Sequence, residues 1–273
     1  MLLILGLSLI PMGWAFLLSL SDSNLISSGE FVGLDNYRAM PDDPTLRHAF
    51  RNTFLFALLY LPLAVVGGLV VAMMLNQRIR FIGVYRTCFL VPFVASAAAE
   101  GILMGFVFDS DFGVVNYLLD TLGIGRQGLL QDPSQAIYVL AAVYFWTQFG
   151  FNVIIYLAAL QDIPVEILEA ASIDGAGRLA IFRRIVLPVV TPVTVFLCVW
   201  GAIETFQLFD IVYTTTRGGP LDATTTVVLY VWELAFTFFV AGYGAAVAYA
   251  LFLATFVAVL GGLLYSRKRG YGL

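Results

Sequence analysis

Residues 136–160 read AIYVLAAVYFWTQFGFNVIIYLAAL, 25 positions without one charged side chain. A bilayer core about 30 Å thick needs roughly 20 residues of helix at about 1.5 Å each, so this stretch is long enough to cross a membrane. Apolar runs of similar length recur at 2–20, 53–75, 88–108, 189–213 and 243–265. The pattern predicts an all-α polytopic membrane protein with six transmembrane helices, the whole of 1–273 forming one transmembrane domain. Composition agrees: 60% of the 273 residues are apolar, 12% are charged and the mean hydropathy is +0.92. That charged share is about half the soluble norm, and a soluble fold could not hide so much apolar surface. The first run starts almost at Met1 without a basic leader, and its 19 residues exceed a signal core of roughly 7–15, so it reads as a retained span.

The polar residues exclude whole classes of chemistry. Net charge is −4, which leaves no basic surface for phosphate backbones and argues against nucleic acid. The single lysine, Lys268, is followed by Arg269 rather than Ser or Thr, so the chain has no phosphate-binding loop. Any ATP is used by a partner. His48 is the sole histidine, and Cys88 and Cys198 sit apart in apolar runs, which offers neither a metal set nor a disulfide framework.

Basic residues are unevenly placed. Arg78, Arg80 and Arg86 follow the second run, Arg178, Arg183 and Arg184 the fourth, and Arg267, Lys268 and Arg269 the sixth. The alternate segments hold Arg38, Arg47, Arg51, Arg126 and Arg217, together with acids including Asp22, Asp42, Asp43, Asp109, Asp111 and Asp132. Positive-inside bias therefore puts both termini in the cytoplasm. Segment 21–52 is a polar outer stretch whose end is expected to form a short helix into the second span. Within 109–135, residues 114–122 are amphipathic. Segment 223–239 carries Trp232 and Glu233 and reads as a separate interfacial helix, because fusing it to 243–265 gives a helix too long for one crossing. The pairs Gly67, Gly68 and Gly261, Gly262 are expected to let helices approach closely.

Segment 161–188 is unlike the rest. Pro164 suits a first helical position and Glu166 a first turn, so a short cytoplasmic helix should run to Ile173 and stop at Gly175. A second helix with Arg178, Arg183 and Arg184 should end at Pro188. Small Ala170 and Ala171 at the bend make a compact knob able to enter a groove on another protein, or simply a hairpin packed on its own bundle.

The run Glu169, Ala170, Ala171, then Asp174, Gly175, Ala176, then Ile185, Leu187, Pro188 resembles the EAA loop of bacterial ABC importer permeases. Phe31 to Tyr37, Asn52 with Thr53, Leu157 to Pro164, and Thr216 to Pro220 with Thr224 to Thr226 resemble the carbohydrate branch, the maltose and glycerol-phosphate type. The resemblance implies a type I importer permease in the bacterial inner membrane. Its partners would be a second homologous permease, two ATP-binding subunits, an extracytoplasmic solute-binding protein and membrane lipid, with ATP and magnesium in the ATPase and no cofactor in this chain. It also implies that the loop couples to the ATPase through Glu169, Ala170, Ala171, Asp174 and Gly175, with Arg178 opening the next helix.

Intramembrane polar groups suggest where a solute passes. Gly201, Glu204, Gln207, Leu208 and Ile211 follow helical spacing on one face of the fifth run, with Thr205 at its edge. Phe145, Gln148, Phe149 and Asn152 share a face of the fourth, with Trp146, Thr147 and Phe151 beside it. Amides and carboxylates bond hydroxyls while aromatic rings cover apolar sugar faces, so the two faces suit a sugar or polyol. The same groups would equally serve as bonds between helices. Resemblance to the maltose-type permease matches solute contacts to Trp146, Thr147, Gln148, Phe151, Gly201, Glu204, Thr205 and Leu208. A glycerophosphodiester or glycerol phosphate is the alternative solute, against which Glu204 weighs. Glu100 either lines the pathway or packs in protonated form. An ion-coupled secondary transporter would show repeated halves or interrupted helices, and a membrane enzyme would need clustered acids, bases or metal ligands; neither pattern is clear here.

Overall fold

The computed structural model describes residues 2–24, 26, 29–77 and 80–268. Arg78 and Arg269 of the basic clusters lie outside the described residues. In chain order the elements are α1 (Leu2–Ser19), a two-residue hairpin of β1 (Ser21–Asp22) and β2 (Glu30–Phe31), α2 (Asp35–Ala39), α3 (Pro44–Leu75), α4 (Ile82–Val94) and α5 (Ala97–Val107). They continue with α6 (Val114–Thr121), α7 (Ala136–Gln161), α8 (Val165–Ile173), α9 (Arg178–Ile181), α10 (Leu187–Phe206), α11 (Asp210–Thr215), α12 (Val227–Phe236) and α13 (Ala241–Lys268). Among the described residues four helices are long and apolar enough to cross a membrane: Pro44–Leu75, Ala136–Gln161, Arg178–Phe206 and Ala241–Leu264. The bent pair α4 and α5 makes a fifth, and α1 is a shorter apolar helix over Leu5–Ser19.

Three boundaries differ from the sequence reading. The expected third span is not one helix: α4 and α5 meet at 99°. Pro92 lies in the last turn of α4, Ala95 is extended at ψ 160°, and the Ser96 carbonyl then accepts the Glu100 amide at 2.9 Å as α5 starts. The expected fifth span ends at Phe206 rather than Tyr213. Leu208 turns its carbonyl to the Thr226 hydroxyl at 2.8 Å, and α11 starts afresh at Asp210. Nor does Pro188 end the helix that follows the loop. Phe182–Val186 forms a π-helical turn in which the Leu187 amide reaches the Phe182 carbonyl, and α9 runs through it into α10. Widening the helix by one residue just before a proline relieves its clash with the carbonyl one turn back.

The chain gathers into two compact units. One comprises Met1–Phe56, Gly101–Leu140 and Thr205–Val257, the other Ala57–Glu100, Ala141–Glu204 and Ala258–Leu273. In the first, Leu46 and Ala49 of α3 pack with Phe206, with Val227, Tyr230 and Leu234 of α12, and with Val247 and Leu251 of α13. Helix α12 is thus separate from α13, as its length demanded. Asp43 caps α3, accepting the Leu46 amide at 3.0 Å, with Pro44 at the first helical position. The same carboxylate accepts the hydroxyls of Tyr230 and Tyr243, each at 2.8 Å, and so ties α3 to α12 and α13.

In the second unit Ala72 and Leu75 of α3 pack with Phe149, Val153, Tyr156, Leu157 and Leu160 of α7 and with Val190 and Leu197 of α10. A Cβ on Gly68 would stand 2.9 Å from the Asn152 Cβ, so this glycine lets α3 and α7 touch. Gly262 lies near Val199, but Gly261 faces open space, and the second glycine pair is only half a contact.

Candidate functional site

Segment 161–188 lies wholly in the second unit. Ile163 is buried in its core and Pro164 is the N-cap of α8, one position earlier than expected. The helix ends as a Schellman turn: the Ala176 amide donates to the Ala171 carbonyl at 2.9 Å, and the Gly175 amide to the Ser172 carbonyl at 3.1 Å. Gly175 sits at φ +81°, a conformation in which a Cβ would crowd the following carbonyl.

Helix α8 buries no residue fully. Leu168, Ile181 and Phe182 are partly buried against the core of α7 and α10, while Glu169, Ala170, Asp174, Gly175 and Arg178 are exposed. Ile173 at the tip is 86% exposed, the kind of bare apolar side chain a partner surface covers. A concavity of about 530 Å³ lies beside it, with Ala171, Asp174, Gly175, Ala180, Arg184 and Ile185 in its wall. The structure thus brings Ala171, Asp174 and Gly175 together, and sets Glu169, Ala170 and Arg178 on the outer surface around them. Ile173 was missed as a surface residue because helical spacing does not say which apolar side chains stay bare.

The candidate solute positions are more scattered. In the second unit Thr147 is buried and its hydroxyl donates to the Tyr144 carbonyl of its own helix at 3.0 Å. Trp146 is 49% exposed. Gln148 is half-buried; its main-chain carbonyl accepts from the buried Asn152 side-chain amide at 3.4 Å. Phe151 packs between Phe93 and Trp200, with ring centroids 5.3 and 5.9 Å away. Gly201 is buried against α3, where an added Cβ would lie 2.5 Å from Leu61 Cδ2. Glu204 accepts a hydrogen bond from the Tyr144 hydroxyl at 3.4 Å, and the Tyr144 ring stands edge-on to Tyr60 with centroids 4.9 Å apart. Tyr144 lies one turn before Gln148 on α7, a relation that helical spacing alone could have offered.

Thr205, Gln207 and Leu208 belong to the first unit. Thr205 is fully buried, Gln207 is exposed in the turn after α10, and Leu208 is buried with its carbonyl held by Thr226. Because α10 stops at Phe206, Gln207, Leu208 and Ile211 do not continue the helical face of Gly201 and Glu204. The five-residue face is corrected to two.

Residues 52–270 match the family described as binding-protein-dependent transport system inner membrane component. The chain belongs to this family. It is 34% identical over 258 residues to a probable ABC transporter permease of Pyrococcus horikoshii, covering 93% of this chain and 88% of that one. To the lactose transport system permease protein LacF of Rhizobium radiobacter it is 38% identical over 248 residues, 88% of this chain and 82% of LacF. To the sn-glycerol-3-phosphate transport system permease protein UgpA of Yersinia pestis it is 33% identical over 210 residues, 77% and 71%. Its fold matches a chain of a bacterial ABC transporter that imports the acidic polysaccharide alginate, with TM-score 0.85, 22% identity and coverage of 97% and 92%. The type I importer permease fold is therefore established. The permease is a multi-pass inner-membrane transport subunit of a binding-protein-dependent system rather than an enzyme.

Proposed function

We propose that this permease translocates a sugar or related polyol handed over by an extracytoplasmic binding protein. It would work with a second homologous permease and two ATP-binding subunits. Residues 1–273 act as one six-span domain with both termini in the cytoplasm. The observation that carries the coupling role is the exposed, Schellman-capped α8 with Ile173 bare at its tip. Such a knob fits a groove on an ATP-binding subunit, which supplies ATP and magnesium while this chain supplies none. Glu169, Ala170, Ala171, Asp174, Gly175 and Arg178 form the contact. Closure of the ATPases pushes α8, and the push reaches α7 and α10 through Leu168, Ile181 and Phe182.

The solute reading rests on Glu204 and Tyr144 for hydroxyls, with Gln148, Asn152, Trp146 and Phe151 of α7, Thr147 and Gly201 shaping the helices behind them. Thr205, in the last turn of α10, and Gln207 and Leu208 just after it are candidate solute contacts of the first unit by itself. The relatives' names support both a sugar and glycerol phosphate. Glu204 favours the neutral polyol, because a carboxylate repels an anionic headgroup. Uptake by the reconstituted complex with its binding protein, tested against sugars and glycerophosphodiesters, decides: competition by phosphodiesters alone would overturn the polyol reading.

A further inference from the structure

Pro44, Arg47, His48 and Arg51 line a cleft of about 320 Å³ on the first turns of α3. Their spacing puts them on one helix face, opposite the buried Leu46 and Ala49. All three basic side chains are exposed. Among the described residues the one ion pair is Arg38 with Asp35, so neither guanidinium here has a carboxylate partner. Asp43, the nearest acid in the chain to Pro44, is occupied by two tyrosine hydroxyls and the Leu46 amide.

Depth along the helix indicates the ligand. If the apolar span begins at residue 53, Arg51 lies about 3 Å and Arg47 about 9 Å of helix rise beyond it. The headgroup layer is about 5–8 Å thick on each side of the hydrocarbon core, so Arg51 lies within it and Arg47 at its outer edge. Phe54, next on that side of α3 and 57% exposed, offers apolar surface below them. Two guanidiniums one turn apart suit a phosphate oxygen pair better than a lone carboxylate. We propose that this cleft holds the phosphodiester headgroup of an anionic phospholipid. The inference rests on α3 entering the bilayer near residue 53 and is independent of the transported solute.

The test uses the full permease with its co-purified subunits in phosphatidylcholine nanodiscs containing a photoactivatable phosphatidylglycerol. Wild type should label within 44–54, and Arg47→Gln with Arg51→Gln should lower that labelling about thirtyfold, since each basic residue near a surface contributes comparably. Arg47→Lys with Arg51→Lys should keep most of it, and Arg126→Gln should change nothing. An unchanged melting temperature of each variant shows that the fold is intact. Equal labelling of the glutamine variant overturns the proposal. So does displacement by inorganic phosphate, which would mean a free-anion site, or cross-linking of 44–54 to the binding protein in place of lipid. An α3 that enters the membrane elsewhere would show instead as labelling centred outside 44–54 in wild type.

Discussion

The hydroxyl of Tyr144 lies 3.4 Å from Oε2 of Glu204 and joins α7 to α10 within one unit. A carboxylate that already accepts one hydroxyl is poised to accept another from a sugar, and bonds to it are charge-assisted, whereas the Gln148 side chain offers only a neutral amide. Glu204→Ala should therefore slow uptake more than Gln148→Ala. Tyr144→Phe combined with Glu204→Ala should fall short of additivity by about 0.5–1.5 kcal/mol, roughly 2- to 12-fold in rate. Initial uptake rates measure this. Unchanged sugar preference together with lowered melting temperatures would assign the pair to helix packing.

Gly175 at φ +81° has open space around its Cα, so substitutions there act through the backbone before they act through contact. Asn tolerates this conformation better than Ala, and Trp adds bulk to the knob. Substrate-stimulated ATP hydrolysis of the reconstituted complex should fall in the order Gly, Asn, Ala, Trp, with about 1–2 kcal/mol of local strain for Ala. Membrane insertion should persist, because the turn is outside the spans. Full stimulation in Gly175→Trp would remove the coupling role from this loop.

Orientation can be read from two exposed positions in a background lacking Cys88 and Cys198, both of which are exposed. Asn76→Cys, just after α3, should react with an impermeant thiol reagent only from the cytoplasmic side. Leu34→Cys, 58% exposed, should react in intact cells. Reaction of both in intact cells would rule out the six-span topology.

Asp43 has a pKa below the ordinary carboxylate value. Burial raises it, but the Leu46 and Thr45 amides and the Tyr230 and Tyr243 hydroxyls together lower it further. A depressed carboxylate stabilises the fold above its unfolded pKa of about 3.9 and loses that contribution as pH falls through the folded value. Asp43→Asn should thus cost about 1–3 kcal/mol near neutral pH, through the two charge-assisted bonds to Tyr230 and Tyr243, since Asn can keep the cap on Leu46. The melting gap between variant and wild type should narrow below about pH 4. A gap that is constant with pH would show that the charge on Asp43 is irrelevant.

What the residues decided by themselves is whatever depends on neighbours in the chain. Apolar runs of span length, and a helix stopped by a glycine whose lack of Cβ admits a left-handed turn, are set within a few residues. That is why the membrane class, α8 and the Gly175 turn were legible. The bend at Ala95 was half legible, since Pro92 marks a weak point without giving the angle. The end of α10 was not, because apolar spacing continues through Ile211. It is the Thr226 hydroxyl, 18 residues away, that draws Leu208 out of the helix. Nor could spacing choose Tyr144 over Gln148 as the partner of Glu204, 60 residues distant in the chain. Side chains that share a helix face are fixed by local geometry, but which of them meets a group on another helix depends on how those helices pack.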